Sequence, residues 1–413
     1  MGEMKNPLTQ LWLDMPLKPC RVVSVIGTRP EAIKMAPVIR ELQRRPLHFK
    51  QAVVSTGQHR ELLQQVLSLF DIHPDLNLDL MQENHGLSNF TSRALTSLSR
   101  NLARLHPDVV LVQGDTTTVM AAAMSAFYQA IPVGHIEAGL RSFDFRNPFP
   151  EEMNRRLTSC LASLHFAPTN RARQNLLREG IHDERIYVTG NTIVDALQSV
   201  PLGERFESRE ISDIDFDSRR VLLVTAHRRE SHGPALRAIL RALKTLVQNF
   251  KDLEILYPVH PNPNVAGRVR EELNGLLRVH IVSPLAYGDL LRVMRRCWLI
   301  LTDSGGIQEE APSFHKPVLI LREVTERPEV VDSGAGKVIG TDSDRIVQEV
   351  VALMQNPVEY RKMSGAQNPF GDGHAAERIV DVLANCFLGL DHRSFSVSTL
   401  SQAEMPGSIV HIT

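Results

Sequence analysis

Leu299–Ala311, LILTDSGGIQEEA, joins a strand to a helix through a pair of glycines and sets the architecture of the chain. An apolar strand ends in Asp303-Ser304-Gly305-Gly306 and a helix begins at once. With no Cβ on the two glycines, the unpaired N–H groups of the first helical turn face outward, and the positive end of the helix can cradle a phosphate. The stretch reads as a diphosphate site. Val22–Pro37, VVSVIGTRPEAIKMAP, repeats the construction of strand, tight turn and helix near the start of the chain. Two phosphate-type turns so far apart predict two Rossmann-like halves facing one ligand.

Working outward from these turns, short apolar runs recur at Val22–Ile26, Ala52–Ser55, Val109–Val112, Val133–Ile136, Leu164–Ala167 and Ile186–Thr189, separated by helix-like stretches. A second series follows at Val221–Thr225, Glu254–Val259, Val279–Val282, Trp298–Thr302, Val318–Leu321 and Lys337–Ile339. This βαβα rhythm predicts parallel sheets. The fold class is therefore α/β, two Rossmann-like domains with parallel sheets facing a central cleft. LGERFESREISDIDFDSRR, Leu202 to Arg220, is polar, charged and poor in aliphatic periodicity, as linkers are. The expected division is residues 20–201, 220–370, a last helix within 371–390 and a flexible tail at 391–413. In that helix Ile379, Val382, Leu383 and Cys386 recur at helical spacing, and Asp372 is the expected cap.

Composition narrows the class. The 413 residues carry 46 basic against 47 acidic side chains, a net charge of −1. No chain-wide field exists to hold nucleic acid or an anionic membrane, so any anion is held locally. Four widely separated cysteines, Cys20, Cys160, Cys297 and Cys386, form no CxxC pair and read as reduced thiols of a cytoplasmic protein. The first 20 residues mix charges with Pro7 and Pro16, which predicts neither a signal peptide nor a bilayer span.

Four loops at strand ends hold most of the reactive side chains. Asp115 in GDTTT (114–118) suits contact with a polyol or a helix cap. Glu137 and Arg141 in GHIEAGLRS (134–142) suit either chemistry or an internal ion pair. Glu151 and Arg155 in NPFPEEMNRR (147–156) stand four apart on one helix face and are expected to act as a unit, although acids in a first turn also serve the helix dipole. TAHRRES (225–231) offers His227, Arg228 and Arg229 to a phosphate or developing anion. His227, His260 and His315 lack metal-ligand spacing, and Ser304 lacks a GxSxG elbow, so neither zinc nor a serine triad is expected.

Together these motifs carry a resemblance. With TGQHRELL (56–63), VTGNTIVDAL (188–197), YPVHPNP (257–263), TERPE (325–329) and NPFGDG (368–373) in order along the chain, residues from Val22 to about Leu383 resemble the non-hydrolysing UDP-N-acetylglucosamine 2-epimerases. The resemblance implies a glycosyltransferase-B-like fold with the nucleotide sugar in the cleft, the last helix crossing back onto the first domain, and a homodimer. It implies catalytic roles for Asp115, Glu137, Glu151, Arg155, His227 and Lys34. It assigns UDP to Arg29, Ser304, Gly305, Gly306 and Glu310, the last on the ribose hydroxyls. A second ligand site of some relatives corresponds to Gln58, Arg60 and His260, although Glu61 and Asn84 depart from the regulated pattern, and FDFRNPFPEE (143–152) departs in the lead-in to Glu151.

The implied reaction is reversible C2 epimerisation of UDP-N-acetylglucosamine to UDP-N-acetylmannosamine through elimination of UDP to 2-acetamidoglucal and re-addition, supplying surface polysaccharide. No cofactor, metal, nucleic acid or membrane partner is expected. The rival readings are a hydrolysing 2-epimerase, an epimerase of another UDP-2-acetamido sugar, a glycosyltransferase of the same architecture, and a nucleotide-sugar sensor without turnover.

Overall fold

Thirteen strands in two parallel sheets organise the computed structural model, which describes residues 18–57, 60–81, 86–226, 228, 233–259 and 262–390. The first sheet is built from β1 (Cys20–Ile26), α1 (Arg29–Gln43), β2 (Phe49–Ser55), α2 (Arg60–Leu69), β3 (Leu76–Asn77), α3 (Leu87–Leu105), β4 (Val109–Gln113), α4 (Thr117–Phe127), β5 (Val133–Ile136), α5 (Glu151–Leu161), β6 (Leu164–Ala167), α6 (Asn170–Arg178), β7 (Ile186–Val188) and α7 (Thr192–Ser199). The second comprises β8 (Arg220–Thr225), α8 (Pro234–Asn249), β9 (Leu253–Pro258), α9 (Pro263–Leu273), β10 (Val279–Val282), α10 (Tyr287–Arg296), β11 (Leu299–Thr302), α11 (Gly305–Glu310), β12 (Val318–Ile320), α12 (Pro328–Asp332), β13 (Gly336–Val338), α13 (Ser343–Gln355) and α14 (Pro357–Ser364). A last helix, α15 (Ala375–Leu388), follows.

The strand orders are β3-β2-β1-β4-β5-β6-β7 and β10-β9-β8-β11-β12-β13. Each reverses direction beside its first strand, between β1 and β4 and between β8 and β11. Crevices open there at the carboxyl ends of the strands. Strand runs are nearly continuous in apolar residues because helices cover both faces. Along β1, Val22 and Ile26 pack with Met35 and Ile39 of α1, whereas Val23 and Val25 pack with Leu98 and Leu102 of α3. Along β8, Val221 and Leu223 join the first cluster, and Leu222 and Val224 join Leu240 and Leu243 of α8. The period of two thus distributes one strand between two cores.

All twelve strands expected from the sequence are present. The thirteenth, β3, is two residues long at a sheet edge, too short to leave a hydrophobic pattern. Two expectations are corrected. The 202–220 segment is fastened to the body: Ile211, Ile214 and Phe216 are buried, and the Asp289 carboxylate accepts the N–H groups of Glu207 and Ser208 at 3.0 and 2.8 Å. Its three anchors follow no regular spacing, which hides them from a periodicity reading.

The second correction concerns the cap of α15. Asp372 pairs with Arg378 and accepts the His374 N–H, while the first turn of α15 is capped from elsewhere by Asp195 of α7, whose Oδ1 accepts the Ala376 N–H at 2.8 Å. With contacts to α1 and α7 and an Arg45–Asp381 ion pair at 2.5 Å, α15 lies against the helices of the first sheet. Among the described residues no helix is long and apolar enough to cross a membrane.

Candidate active site

The second-sheet crevice begins with the glycine turn after β11. Its four strand residues are fully buried, and Asp303 is tied down by its N–H to the Thr225 carbonyl and by accepting the Arg228 backbone N–H at 2.9 Å. The Ser304 N–H donates to Thr302 Oγ1 at 2.9 Å, and α11 starts at the next residue. First-turn N–H groups have no acceptor within their own helix, so Gly305 and Gly306 turn theirs outward. A Cβ at Gly305 would stand 3.5 Å from Arg228 Nη2 and 4.0 Å from Arg327 Nη2, so the open side of the turn faces two guanidiniums. Glu326 gathers Arg228, Arg322 and Arg327 at 3.3, 3.5 and 3.8 Å. The result is a concentrated cationic wall beside outward N–H groups, suited to a diphosphate.

The other end of α11 carries Glu310, which accepts the Tyr287 hydroxyl at 3.0 Å, and the Arg29 guanidinium of α1 lies 5.3 Å over the Tyr287 ring. Burial pushes Glu310 up to about 7. Arg29 and Glu310, expected from the sequence to share one ligand, are thus joined through a tyrosine that the sequence reading overlooked.

The turn after β1 behaves differently from the expectation of a second phosphate cradle. The Glu31 carboxylate folds back to accept the Gly27 N–H at 2.6 Å, the Thr28 N–H at 3.3 Å and the Thr28 hydroxyl at 3.0 Å. The Gly27 and Thr28 N–H groups, which a phosphate at this turn would use, are taken by the protein itself. A Cβ on Gly27 would come within 2.6 Å of the Thr56 and Thr118 hydroxyls, so the glycine serves close packing.

Three carboxylates stand at neighbouring strand ends of the first sheet. Asp115 follows β4. The cap of α4 is Thr116, whose hydroxyl accepts the Val119 N–H at 3.4 Å, which leaves Asp115 to receive Nε and Nη2 of Arg155 at 2.9 and 2.7 Å. Arg155 also bonds Glu152 at 3.1 Å, so the expected Glu151–Arg155 unit is replaced by Asp115–Arg155–Glu152. Glu152 is fully buried and accepts the N–H groups of Ser142 and Phe143, clamping the loop that leads into α5. Two adjacent glutamates therefore part company: Glu152 is structural, while Glu151 remains partly exposed. Burial, with Asp115 and Glu326 nearby, holds Glu151 above the usual carboxylate range.

Glu137 follows β5 with a φ of 67°, a left-handed conformation costing a non-glycine residue about 1–3 kcal/mol. Surrounding bonds hold it there. Lys34 Nζ lies 2.5 Å from its Oε2 and Gln113 donates to it at 2.7 Å. The alternative Glu137–Arg141 pair is absent; Arg141 instead forks onto Glu179 at 2.7 and 2.8 Å. Lys34 also meets Glu309 of α11 at 2.7 Å, and Glu309 bonds Arg327. Residues of both halves therefore meet in one buried network.

A model described as UDP-N-acetylglucosamine 2-epimerase matches residues 40–384. The chain belongs to this family. It is 49% identical to the UDP-N-acetylglucosamine 2-epimerase of Escherichia coli over 371 residues, 88% of this chain and 98% of that one. Identity to the Salmonella typhimurium enzyme of the same name is 50% over 369 residues, again 88% and 98% of the two chains. Among solved structures, UDP-GlcNAc 2-epimerase from Neisseria meningitidis bound to UDP-GlcNAc is similar with a TM-score of 0.82 and 45% identity, covering 88% of this chain and 100% of that one. A Rickettsia africae glycosyltransferase, 13% identical with a TM-score of 0.58 over 89% of this chain and 98% of its own, shares the fold alone.

In this epimerase-family chain the described site residues from the sequence reading, Asp115, Glu137, Glu151, Arg155, Lys34, Arg29, Ser304, Gly305, Gly306 and Glu310, all sit at the carboxyl ends of strands or on the helices that follow them. Gln58, His227 and His260 lie outside the described residues, as does the 391–413 tail, and Arg60 is described only as the first residue of α2. The reading missed Gln113, Tyr287, Glu309, Arg322 and Arg327. Their signals were weak. Glu309 is one of two consecutive acids on a helix, and Arg327 precedes the proline that opens α12.

Proposed function

We propose that the protein interconverts UDP-N-acetylglucosamine and UDP-N-acetylmannosamine without hydrolysis, by eliminating UDP to 2-acetamidoglucal and adding it back. One observation carries the reading: three carboxylates from the first sheet lie across from the glycine turn and arginine wall of the second, with Lys34, Glu137, Glu309 and Arg327 joining the two sides. The hydrogen at C2 of an N-acetylhexosamine is not acidic, so departure of the diphosphate must accompany its removal. The outward N–H groups of Gly305 and Gly306 with Arg228 and Arg327 stabilise the leaving anion, and Glu310 with Arg29 holds the nucleoside. Ser304 lines the same turn, and His227 is assigned beside the diphosphate by its motif.

Cation-like charge developing at C1 is met by Asp115 and Glu151, and proton removal at C2 with return on the opposite face uses Glu137, Glu151 or Asp115 as base and acid. Glu137 and Glu151 are both held above the ordinary range by burial, which suits groups that exchange protons near neutrality. The buried joining network supports retention of the glycal away from water. A homodimer, also proposed, is supported by the exposed apolar face of α5, Met153 and Leu157, beside Phe127 and Tyr128 at the end of neighbouring α4.

Proton NMR of the protein with UDP-N-acetylglucosamine in D₂O tests the reading. UDP-N-acetylmannosamine with deuterium at C2 and UDP still attached is the expected product. Free N-acetylmannosamine plus UDP would replace this reading by a hydrolysing one, and no change would overturn both.

A further inference from the structure

We propose that Glu309 is a positioning residue for the C2 proton transfer: it binds Arg327 and takes a share of Lys34, leaving Glu137 as the carboxylate of the buried network that exchanges a proton with the sugar. The inference rests on the reading of Glu137 as an acid-base group, and neither the motifs nor the family's site pattern used above assigns Glu309 a role.

Glu137 and Glu309 have unequal neighbours at equal depth. Side-chain exposures are 7% for Glu137 and 1% for Glu309, so both carboxyls have lost nearly all solvent. Glu309 touches two cations, Lys34 at 2.7 Å and the Arg327 Nε, and receives the Asn191 amide at 3.4 Å. Glu137 touches one cation, Lys34 at 2.5 Å, and one neutral donor, Gln113 at 2.7 Å, with Arg327 no nearer than 4.0 Å. Of two buried acids, the one with more cations in contact keeps its charge and the other takes the proton.

The directions agree. For Glu309, burial is outweighed by Lys34 and Arg327, which hold it down to about 2. Glu137 is pushed up by burial, and the Glu309 anion adds to that push against the pull of Lys34 and Arg327. The charged groups facing Glu137 are thus Lys34 from α1, Glu309 from α11 and Arg327 from the loop before α12. Asp115, on the adjacent strand end, is already paired with Arg155. Glu309 also adjoins Glu310 on the short helix that starts at the glycine turn. The helix proposed to grip the nucleotide therefore carries the group that sets the proton affinity of Glu137.

Glu309→Gln removes the anion, releases Arg327 and lets Lys34 settle on Glu137. Each change favours ionised Glu137. The direct test is an infrared carboxyl titration of the full chain, with the Glu137→Gln spectrum subtracted to isolate Glu137. In the Glu309→Gln background its midpoint is expected to fall by about one pH unit or more. The corresponding limb of the pH–rate profile moves the same way, and kcat at pH 7 drops roughly tenfold while KM stays within about threefold. An unmoved or raised Glu137 midpoint, or an effect confined to KM, overturns the proposal. Should the glutamine variant fail to fold, Glu309→Asp withdraws the carboxylate from Lys34 by one methylene and is expected to give a smaller shift in the same direction; no shift there overturns it equally. If the unaltered protein leaves UDP-N-acetylglucosamine unchanged, the epimerase reading fails, and the infrared titration still decides whether Glu309 governs Glu137.

Discussion

The turns after β1 and β11 share one grammar, strand, short glycine turn, helix, and come to opposite ends. After β1, the third helical residue is Glu31, and its carboxylate closes on the N–H groups of Gly27 and Thr28. After β11, the corresponding residue is Ile307, an apolar side chain that cannot fold back and instead joins the core. One turn is sealed by its own sequence and the other is left open to a ligand. The difference extends to the surroundings: Asp115, Glu137 and Glu151 stand at the carboxyl ends of the first sheet's strands and Arg228, Arg322 and Arg327 beside the second's glycine turn, so the proposed reading divides proton chemistry and anion binding between the halves.

The sharpest way to break this division is to neutralise a first-sheet acid. Asp115→Asn or Glu151→Gln is expected to cut turnover about a hundredfold or more while UDP affinity, measured by calorimetry, stays within about twofold. An equal loss of binding would mean that the acids serve the nucleotide. On the opposite side, Gly305→Val projects methyl groups toward Arg228 and Arg327 and weakens UDP binding by roughly tenfold or more, about 1.4 kcal/mol. Unchanged affinity would remove this turn from the phosphate site.

Acidity offers a further handle. In the proposed reading Glu310 accepts both ribose hydroxyls only when ionised, and burial holds it up to about 7. The affinity for UDP-N-acetylglucosamine should therefore level off above pH 7 and weaken by about tenfold per unit below it, a dependence that Glu310→Gln abolishes. A flat profile in the unaltered protein would separate Glu310 from the ribose. The smallest effect on UDP binding is expected at the sealed turn. Glu31→Ala costs about 2 kcal/mol in denaturant unfolding by stranding its cap donors, with UDP affinity unaltered. A change in UDP affinity there would mean that the sealed turn also contacts nucleotide.

Much of the sealed turn was readable. Thr28-Arg29-Pro30-Glu31 has the spacing of a capping box, a local pattern that competes with phosphate binding for the same N–H groups. The strands were legible for the same reason, since each carries its burial in a short run. The partners of Arg155 and Arg141 were not. A long guanidinium reaches acids on other elements, Asp115 across 40 positions and Glu179 across 38, and one sequence offers several within reach. The cap of α15 is illegible for the same reason, because Asp195 lies 181 positions from the N–H that it accepts.

The two parallel sheets, the glycine turn after β11 and the loops that carry Asp115, Glu137 and Glu151 are legible in the sequence alone, because short apolar runs, missing Cβ atoms and strand-end positions are properties of neighbouring residues. Which of two adjacent acids is structural, as with Glu151 and Glu152, and the crossing of Glu309 and Arg327 to Lys34 and Glu137 depend on contacts across the fold. Consecutive residues on a helix point about 100° apart. The direction that faces a partner, and the charge that the partner imposes, exist only once both sheets are in place.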